Sequence, residues 1–465
     1  MPAKVTVMKF GGTSIEDQAA FERVAQIVAS DKSERTVVVV SAMSRVTDAL
    51  LSSLQMAAQG EIKTALDSID EHLERHLQVA SGLRASARAD ATLLIESVRR
   101  EIGDLLNAVS FSRKPSARLQ DNIASYGERL SACLLAAVLA ERGLPASYVD
   151  ARRCITTDEE HGKANPLPGL TTQRTCAALE PLLKAGRVPV MGGFIAATIR
   201  GVTTTLGRGS SDYTATLVSA ALGASETQIW TDVNGVLTAD PRLIKTARTV
   251  PLLSYGEAAE LARFGAKVLH PKTIQPAAQH KIPVSIRNSR APEKVGTLIC
   301  ARTEAAQGAV KAIAHQTGMT MVEVTSTPAF VANGFLHAIR RIAGRHQTAL
   351  NIVATSEIGV SLASQETSAL ALIVDDLRQV GSVEVSSDRA IICCVGEGLQ
   401  SAAGSASKIR SALRDVDSTL SWCSTSSNNF ISVLDEAAVG TVISLLHHEI
   451  FENNAGIDER TDFRG

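Results

Sequence analysis

The sequence of 465 residues has almost no net charge, since 47 basic and 48 acidic side chains leave −1 at pH 7. A charge this small cannot attract nucleic acid or an anionic membrane over long distances, so we expect neither as a partner. Seven cysteines, an odd number without a Cys-x-x-Cys pair, argue against a disulfide framework and a thiolate zinc site. Cys393 and Cys394 are adjacent in an apolar run and are predicted to be core residues.

Several functional motifs are also missing. No apolar run approaches the length of a membrane span, and the chain opens with a strand pattern rather than a signal region. We therefore expect a soluble, cytoplasmic protein. Without a Walker A motif or a His-Arg-Asp loop, the architectures of P-loop enzymes and protein kinases are disfavoured. His72 and His76 lack a His-Glu-x-x-His motif and, like His447 and His448, are expected to face solvent.

The hydrophobic pattern predicts an α/β protein. At 465 residues with 45% apolar side chains, the chain is long enough for two or three domains. Strands are predicted at 5–8, 36–40, 188–191, 228–230 and 282–286, and helical patterns such as 21–29 and 132–141 lie between them. This alternation predicts a mainly parallel sheet sandwiched by helices. Residues 50–122 lack a strand pattern and predict a helical insertion.

The carboxyl-terminal third contains an internal repeat. A polar stretch at 302–308 predicts a linker. Beyond it, the order strand, loop, helix and two strands occurs over 319–362 and again over 391–433. Equivalent residues of the two copies, such as Gly334 and Gly404, stand seventy positions apart. The repeat predicts two small α+β units, and a ferredoxin-like pair without a ligand remains an alternative.

A cation and two glycines follow the first predicted strand. Gly11 and Gly12 allow backbone N–H groups to approach an anion, and Lys9 adds positive charge. A helix predicted from about residue 17 would add the dipole of its amino terminus. These features predict a phosphate-binding turn, although a Gly-Gly pair after a strand is also typical of an ordinary turn.

A second polar loop lies about 200 residues further along. Residues 203–212 contain Arg208 between two glycines and precede a helix that begins near Ser211 or Asp212. Two anion-receptive helix starts, each with a cation, predict a fold that holds two charged substrates facing each other.

Residues 7–14, Val-Met-Lys-Phe-Gly-Gly-Thr-Ser, resemble the opening signature of the aspartokinases. Further segments resemble blocks of that family in the same order and spacing: 125–129, 203–212, 230–235, 240–242 and 264–271. Together they span residues 7–271, and the carboxyl-terminal third fits the family as well. On these motifs the chain is identified as a member of the aspartokinases.

The resemblance implies an amino-acid kinase fold followed by two α+β ACT domains, which are ferredoxin-like units that bind amino acids at their interfaces. The catalytic domain, with an aspartate lobe and an ATP lobe, would comprise residues 1–300. The first ACT domain would comprise 310–385 together with 437–465, and the second 386–436. A homodimer or larger homo-oligomer would form through the ACT domains.

The implied activity is transfer of the γ-phosphoryl group of ATP to the β-carboxylate of L-aspartate. The product, 4-phospho-L-aspartate, opens the synthesis of lysine, threonine and methionine, with feedback through the ACT domains. An ionised carboxylate needs no general base, so catalysis would depend on cations and N–H donors. Mg²⁺ would arrive with ATP, and lysine or threonine would be the effector. A glutamate kinase and a catalytically inactive amino-acid sensor remain alternative hypotheses.

The family's site residues carry over to matching positions. Lys9 would contact the transferred phosphate and Asp212 would orient the surrounding cations, which makes these two catalytic. The resemblance implies that Thr47, Glu128, Arg208 and Ser211 bind aspartate, with Glu128 on its ammonium and Arg208 on a carboxylate. The implied ATP and phosphate contacts are Lys9, Gly11, Gly12, Thr13, Ser14, Gly209, Thr231, Asp232, Leu237, Asp240, Arg242 and Lys267.

Plain structural roles are alternatives for several of these residues. Glu128 and the neighbouring Arg129 could form a surface ion pair, and Asp212 could serve only as a helix cap. Lys267 could be a solvated cation, and residues 240–241 could form an ordinary turn. The occurrence of all of them together, in the order of the family, favours the functional interpretation.

The implied effector residues are Gly334, Phe335, Leu336, Asn351, Thr355, Ser356 and Glu357. Lysine-sensitive relatives carry a carboxylate and a hydroxyl where this chain has Asn351 and Ala332. We therefore expect lysine inhibition to be weakened, or the effector to differ. Leu237 stands where close relatives often carry Tyr in the nucleotide block, which alters the adenine contact only in detail.

Overall fold

A computed structural model describes residues 4–266, 270–301, 308–326, 334–346, 351–355, 359–365, 370–399, 403–413, 421–423 and 428–453. By contact, the chain divides into two compact units. Unit 1 comprises Met1–Val236, Pro251–Tyr255 and Leu269–Ala301, and unit 2 comprises Leu237–Val250, Gly256–Val268 and Arg302–Gly465. The boundaries drawn from the family resemblance, with a catalytic domain over 1–300, stay a prediction.

Unit 1 contains eleven of the described strands and eight helices. The strands are β1 (Val5–Phe10), β2 (Arg35–Val40), β3 (Ala146–Val149), β4 (Thr156–Thr157), β5 (Val188–Gly192), β6 (Ile195–Thr198), β7 (Thr203–Thr205), β8 (Glu226–Thr231), β9 (Leu252–Ser254), β10 (Val284–Asn288) and β11 (Thr297–Cys300). The helices are α1 (Gln18–Ser30), α2 (Val46–Gln59), α3 (Ile62–Ser81), α4 (Ala85–Ser112), α5 (Ala117–Glu141), α6 (Pro168–Lys184), α7 (Ser211–Leu222) and α9 (Pro271–His280).

The central sheet has the strand order β3-β5-β2-β1-β8-β10-β11-β9. Its pairs are parallel except for β10 with β11, which confirms the predicted α/β class. Every residue of β1 is buried, because Met8 and Phe10 pack on one face of the sheet and Val5 and Val7 on the other. A small second sheet, β4-β6-β7, carries the loop that contains Arg208.

The predicted helical insertion is confirmed as the end of α2 together with α3 and α4, which pack against α5. Among the described helices, α5 alone is long and apolar enough to cross a membrane. However, 78% of its most apolar stretch is buried inside the structure, as in the core helix of a soluble protein. Helix α5 is therefore a core helix of unit 1.

Unit 2 is built on a six-stranded antiparallel sheet of order β13-β14-β12-β15-β17-β16. Its elements are α8 (Tyr255–Arg263, of which Tyr255 belongs to unit 1), β12 (Ala312–Ser326), α10 (Phe335–Arg345), β13 (Asn351–Thr355), β14 (Gly359–Ser364), α11 (Leu370–Leu377), β15 (Gly381–Val395), α12 (Ala403–Ala412), β16 (Ser421–Cys423), β17 (Asn429–Asp435) and α13 (Val439–His447). The order β12-α10-β13-β14 recurs as β15-α12-β16-β17, which is the predicted repeat.

Two apolar clusters cover this sheet. Helices α10 and α11 share one cluster, and α12 and α13 share the other. The resemblance assigned residues 437–465 to the first ACT unit, and this assignment stays a prediction. Val442 and Ile443 of α13 belong to the same apolar cluster as Ile409 of α12. Cys393 and Cys394 are buried in β15, as predicted.

Candidate active site

A cavity of about 320 Å³ opens at the carboxyl ends of β1 and β2 in unit 1. It is lined by Gly12, Ser41, Ala42, Met43, Ser44, Arg45, Thr47, Asp48, Leu51, Glu128, Phe194, Arg208, Gly209 and Ser211. All four residues predicted to bind aspartate therefore line one cavity. They come from α2, α5, the loop after β7 and the start of α7, which are far apart in the sequence.

Lys9 and Asp212 form an ion pair next to this cavity. Lys9 lies near the end of β1 and is 8% exposed, and its Nζ lies 2.7 Å from Oδ1 of Asp212. Asp212 lies within the first turn of α7, and Ser210 occupies the capping position. The alternative in which Asp212 is only a helix cap is therefore wrong. The carboxylate fixes a cation that would otherwise be unpaired in a largely buried position.

The Gly11-Gly12 turn brings backbone close to backbone. The Gly11 amide donates a hydrogen bond to the carbonyl of Trp230, at 3.1 Å, and residues 12–14 form a short 3₁₀ turn. A Cβ at position 12 would lie 2.8 Å from the Ala42 carbonyl oxygen, so only glycine fits there without displacement. Ser14 is buried, and its hydroxyl lies 2.8 Å from that of Ser289, so this side chain braces the turn.

Glu128 is the most perturbed ionisable group of the cavity. It is 3% exposed on α5, and burial raises the pKa of its carboxyl to about 8, although the Ala42 amide hydrogen bond acts in the opposite direction. Its Oε2 has no hydrogen-bond partner among the described residues. A surface pair with Arg129 is ruled out, because that guanidinium lies over the Tyr126 ring, 4.8 Å from its centre. A buried carboxylate oxygen without a donor is suited to a cationic ligand.

Arg208 is held at the cavity mouth by two glycines with positive φ, +94° at Gly207 and +74° at Gly209. Its side chain is 79% exposed and pairs with Asp48 at the start of α2. Exposed ion pairs contribute about 1 kcal/mol or less, so a ligand carboxylate can replace this partner. Ser211 is buried against Gly193, where an added Cβ would lie 2.6 Å from the Ser211 Cβ.

The predicted nucleotide residues fall into both units. In unit 1, Thr231 is the last residue of β8, which pairs with β1, and its hydroxyl donates to Oδ1 of the next residue, Asp232, at 3.2 Å. In unit 2, the Arg242 guanidinium donates to both carboxylate oxygens of Asp240, and these hydrogen bonds lower the pKa of Asp240. Lys267 lies outside the described residues.

The predicted effector residues are only partly described. Gly334 precedes α10 with φ +126°, and in the first turn of that helix Phe335 is buried and Leu336 is 42% exposed. Asn351 and Thr355 are the end residues of β13. The side chain of Asn351 and all of Ala332, Ser356 and Glu357 lie outside the described residues.

Three residues of unit 1 with unusual surroundings were not predicted, and one of them, Phe194, lines the cavity. Asp121 of α5 is 2% exposed, and it accepts hydrogen bonds from the Thr205 hydroxyl, at 2.5 Å, and from the Gly162 amide. His161 Nδ1 lies 2.6 Å from its Oδ2. Phe194 lines the cavity with φ +63°, which is unusual for a bulky residue. None of them belongs to a motif, so the sequence carries no signal for them.

Two predictions about histidines are wrong. His76 is completely buried in α3, where burial lowers its pKa to about 4. His447 is 1% exposed, whereas its neighbour His448 is 61% exposed, as expected. The error arose because a histidine without a metal motif was assumed to face solvent, although a core position is equally compatible with a helical pattern.

No group of three His, Cys, Asp or Glu side chains that could hold a metal occurs within the part of the chain that the structure describes. That Mg²⁺ arrives on the nucleotide phosphates stays a prediction.

Comparison with known proteins identifies the family. Residues 4–288 match the amino acid kinase family. The chain is 33% identical to lysine-sensitive aspartokinase 3 of Escherichia coli, over 97% of this chain and 100% of the relative. The crystal structure of E. coli aspartokinase III with aspartate and ADP matches with a TM-score of 0.83, 33% identity, and the same coverage of 97% and 100%. Aspartate kinase of Clostridium acetobutylicum matches with a TM-score of 0.78 and 25% identity, over 96% of this chain and 100% of that one. The chain belongs to the aspartokinases, within the amino acid kinase family.

Proposed function

We propose that the cavity of unit 1 binds L-aspartate and that Lys9 promotes transfer of the γ-phosphoryl group of ATP to its β-carboxylate. Aspartokinases phosphorylate aspartate, and the product of this step is 4-phospho-L-aspartate. The observation that carries the proposal is the buried Glu128, whose Oε2 lacks a partner among the described residues, in the same cavity as Arg208. This combination suits a ligand with one ammonium and at least one carboxylate.

The reaction calls for charge stabilisation rather than for a base. The attacking β-carboxylate is ionised near neutral pH, and the transferred group spreads negative charge over its oxygens. Lys9 would neutralise part of that charge, and Asp212 would keep its ammonium at the end of β1. The backbone of Gly11, Gly12 and Gly209 would approach the phosphates. Thr13 and Ser14 belong to the same turn, although the Ser14 hydroxyl contacts Ser289.

Aspartate itself would be oriented by groups at both ends of the cavity. Glu128 would accept its ammonium, which favours the ionised carboxylate and so lowers the pKa of this group on binding. Arg208 would exchange its exposed partner Asp48 for a substrate carboxylate. Thr47 and Ser211 would add hydroxyl contacts, since both line the cavity. Fixed placement of both substrate ends aligns the reacting oxygen.

For the nucleotide, we propose the contacts that the family resemblance implies: Thr231, Asp232, Leu237, Asp240, Arg242 and Lys267. Mg²⁺ would be bound to the ATP phosphates, since the described residues offer no group of protein ligands. A bound Mg²⁺ would neutralise part of the phosphate charge. We also propose a cytoplasmic protein that forms a homodimer or larger homo-oligomer through its ACT domains.

The effector is proposed to be an amino acid bound in unit 2. Lysine is present in one structure of E. coli aspartokinase III, to which this chain is 33% identical. The amide of Asn351 in place of a carboxylate should weaken the capture of a cationic effector. Asn351→Asp is therefore expected to strengthen lysine inhibition. The lysine concentration that gives half-maximal inhibition should fall by about tenfold or more. Equal lysine sensitivity of the two proteins would contradict this proposal.

The experiment that tests the activity is ATP-dependent acyl-phosphate formation, trapped with hydroxylamine, with aspartate or glutamate as acceptor. We expect product with aspartate only, and a loss of about 10²-fold or more in kcat for Lys9→Ala. Lys184→Ala, a change at an exposed lysine paired with Glu180, is the matched control. Product with glutamate alone would identify a different amino-acid kinase. Absence of product with either acceptor would favour the sensor hypothesis.

A further inference from the structure

The segment Leu237–Val250 of unit 2 is a closed loop that carries three of the proposed nucleotide contacts. Leu237 and Thr249 form an isolated antiparallel bridge. Next to it, the Thr238 amide donates to the Arg248 carbonyl at 2.8 Å, and the Arg248 amide donates to the Thr238 hydroxyl at 3.0 Å. Asp240 and Arg242 lie between these closing contacts. The conformation of the loop thus depends on what holds Thr238 and Arg248.

His447, at the end of α13, contacts the first side of this loop. Its imidazole is 1% exposed, and Nε2 lies 3.0 Å from the Thr238 hydroxyl. Nδ1 lies 3.0 Å from Oε1 of Glu452, and because a carboxylate can only accept, Nδ1 is the donor there. A continuous chain of hydrogen bonds therefore runs from the Arg248 amide through Thr238 and His447 to Glu452.

The turn after α13 contacts the second side. Residues 448–452 form a π-helical turn in which the Glu452 carboxylate accepts from the Thr246 hydroxyl at 2.6 Å and lies 3.1 Å from His448 Nδ1. These hydrogen bonds lower the pKa of Glu452 to about 2, so the group is a carboxylate at neutral pH. The carbonyl of Phe451 accepts from the Arg248 guanidinium at 2.8 Å. One short segment thus ties both sides of the loop.

We infer that His447 and Glu452 are positioning residues for ATP, which hold the Leu237–Val250 loop in the conformation that presents Asp240 and Arg242 to the nucleotide. The inference rests on the proposed role of this loop in nucleotide binding. Ordering a loop at the moment of binding costs conformational entropy, and contacts made beforehand remove part of that cost. Loss of the contacts that His447 and Glu452 make with the loop should therefore weaken ATP binding and leave aspartate binding unchanged.

The test is steady-state kinetics of the full-length protein, with ATP and aspartate varied separately. Glu452→Ala is expected to raise the KM for ATP about three- to tenfold and to leave kcat and the KM for aspartate unchanged. Thr246→Val removes the hydrogen bond that the loop donates to Glu452. In the double variant, the rise in the KM for ATP should be smaller than the combined rises of Thr246→Val and Glu452→Ala. Glu449→Ala, whose carboxylate bonds Asn453 in its own turn, is the matched control with an unchanged KM for ATP.

Two further measurements separate the outcomes. Arg242→Ala tests the nucleotide role of the loop directly, and thermal unfolding reports any loss of stability. If Arg242→Ala raises the KM for ATP and Glu452→Ala does not, the positioning role is refuted while the nucleotide role stands. A lowered melting temperature with an unchanged KM for ATP in Glu452→Ala also refutes it. If Arg242→Ala leaves the KM for ATP unchanged, the nucleotide role fails, and this inference fails with it.

Discussion

Replacement of Glu128 by Gln should abolish a pH dependence that this one buried carboxyl imposes on the capture of aspartate. In the free protein, burial raises its pKa to about 8, so below that pH most molecules carry a neutral Glu128. Only the ionised form can pair with an ammonium. A pKa of about 8 means that the ionised fraction rises from about one hundredth at pH 6 to about one half at pH 8. The increase is about fiftyfold.

The assay is the pH profile of kcat/KM for aspartate, which reports the ionisation of the free protein. Wild type should show a rise of about fiftyfold from pH 6 to pH 8, whereas kcat should change little, because the bound ammonium keeps Glu128 ionised. In Glu128→Gln, the rise should vanish. At pH 8 the variant's KM for aspartate should be roughly 30- to 150-fold higher, for a lost charge contact of about 2 to 3 kcal/mol.

Glu101→Gln is the matched control, because Glu101 of α4 bonds the Tyr126 hydroxyl and does not line the cavity. It should keep the wild-type profile. The same steep rise in Glu128→Gln as in wild type would refute the assignment of the ammonium to Glu128. A flat wild-type profile would show that the carboxyl is already ionised at pH 6 and that burial is not the dominant effect.

Protein stability gives an independent readout of the same group. A carboxyl whose pKa is raised on folding stabilises the native state only while it is protonated, so this contribution is lost as the pH rises to about 8. Glutamine does not titrate. Without substrate, the unfolding free energy of Glu128→Gln relative to wild type should therefore increase by on the order of 1.4 kcal/mol per pH unit between about pH 5 and pH 8. Thermal unfolding across that range measures this difference.

Two more predictions concern the backbone around the cavity. Gly12→Ala places a Cβ 2.8 Å from the Ala42 carbonyl oxygen, so it should reduce kcat/KM for both substrates by about tenfold or more. Gly169→Ala, where a Cβ meets nothing within 4 Å, is the control and should retain activity. Asp121→Asn weakens the anchor of Thr205, three residues before Arg208, and should raise the KM for aspartate about three- to tenfold with little change for ATP. An equal rise in the KM for ATP would contradict this explanation.

The sequence predicted a mainly parallel sheet correctly, because the positions of buried strands follow from local apolar patterns. Strand β1 is apolar except for Thr6 and for Lys9 near its end. A largely apolar run of this kind is typical of a parallel strand that is covered on both faces. The glycines that follow were equally recognisable. The pairing of Lys9 with Asp212, however, depends on the meeting of β1 and α7, which lie about 200 residues apart. Only the family resemblance connected them in advance.

The burial of ionisable groups could not be predicted in the same way. Glu128 and His447 both occur in helices with polar neighbours, and each is compatible with a solvent-facing position. What buries them is tertiary packing: a Cβ at Gly192 would lie 2.9 Å from the Glu128 Cβ, and the Phe451 ring lies 4.9 Å from that of His447. A helical pattern specifies one apolar face, but it does not show which polar residue at its border will be covered by another element.

Helix α5 shows how one core element can serve several parts of the site. Asp121 and Glu128 lie seven residues apart, which is close to two turns, so both project from nearly the same face. Asp121 accepts a hydrogen bond from Thr205 at the end of β7, directly before the loop that carries Arg208, and Glu128 lines the cavity. Because 78% of the most apolar stretch of α5 is buried, neither carboxyl can move far without disturbing the core. The distance between the proposed ammonium and carboxylate contacts of aspartate is therefore set by a rigid element. A longer amino acid bound to Glu128 would have to displace Arg208, whose side chain is exposed. We therefore expect the length of the accepted substrate to depend on the loop that contains Arg208.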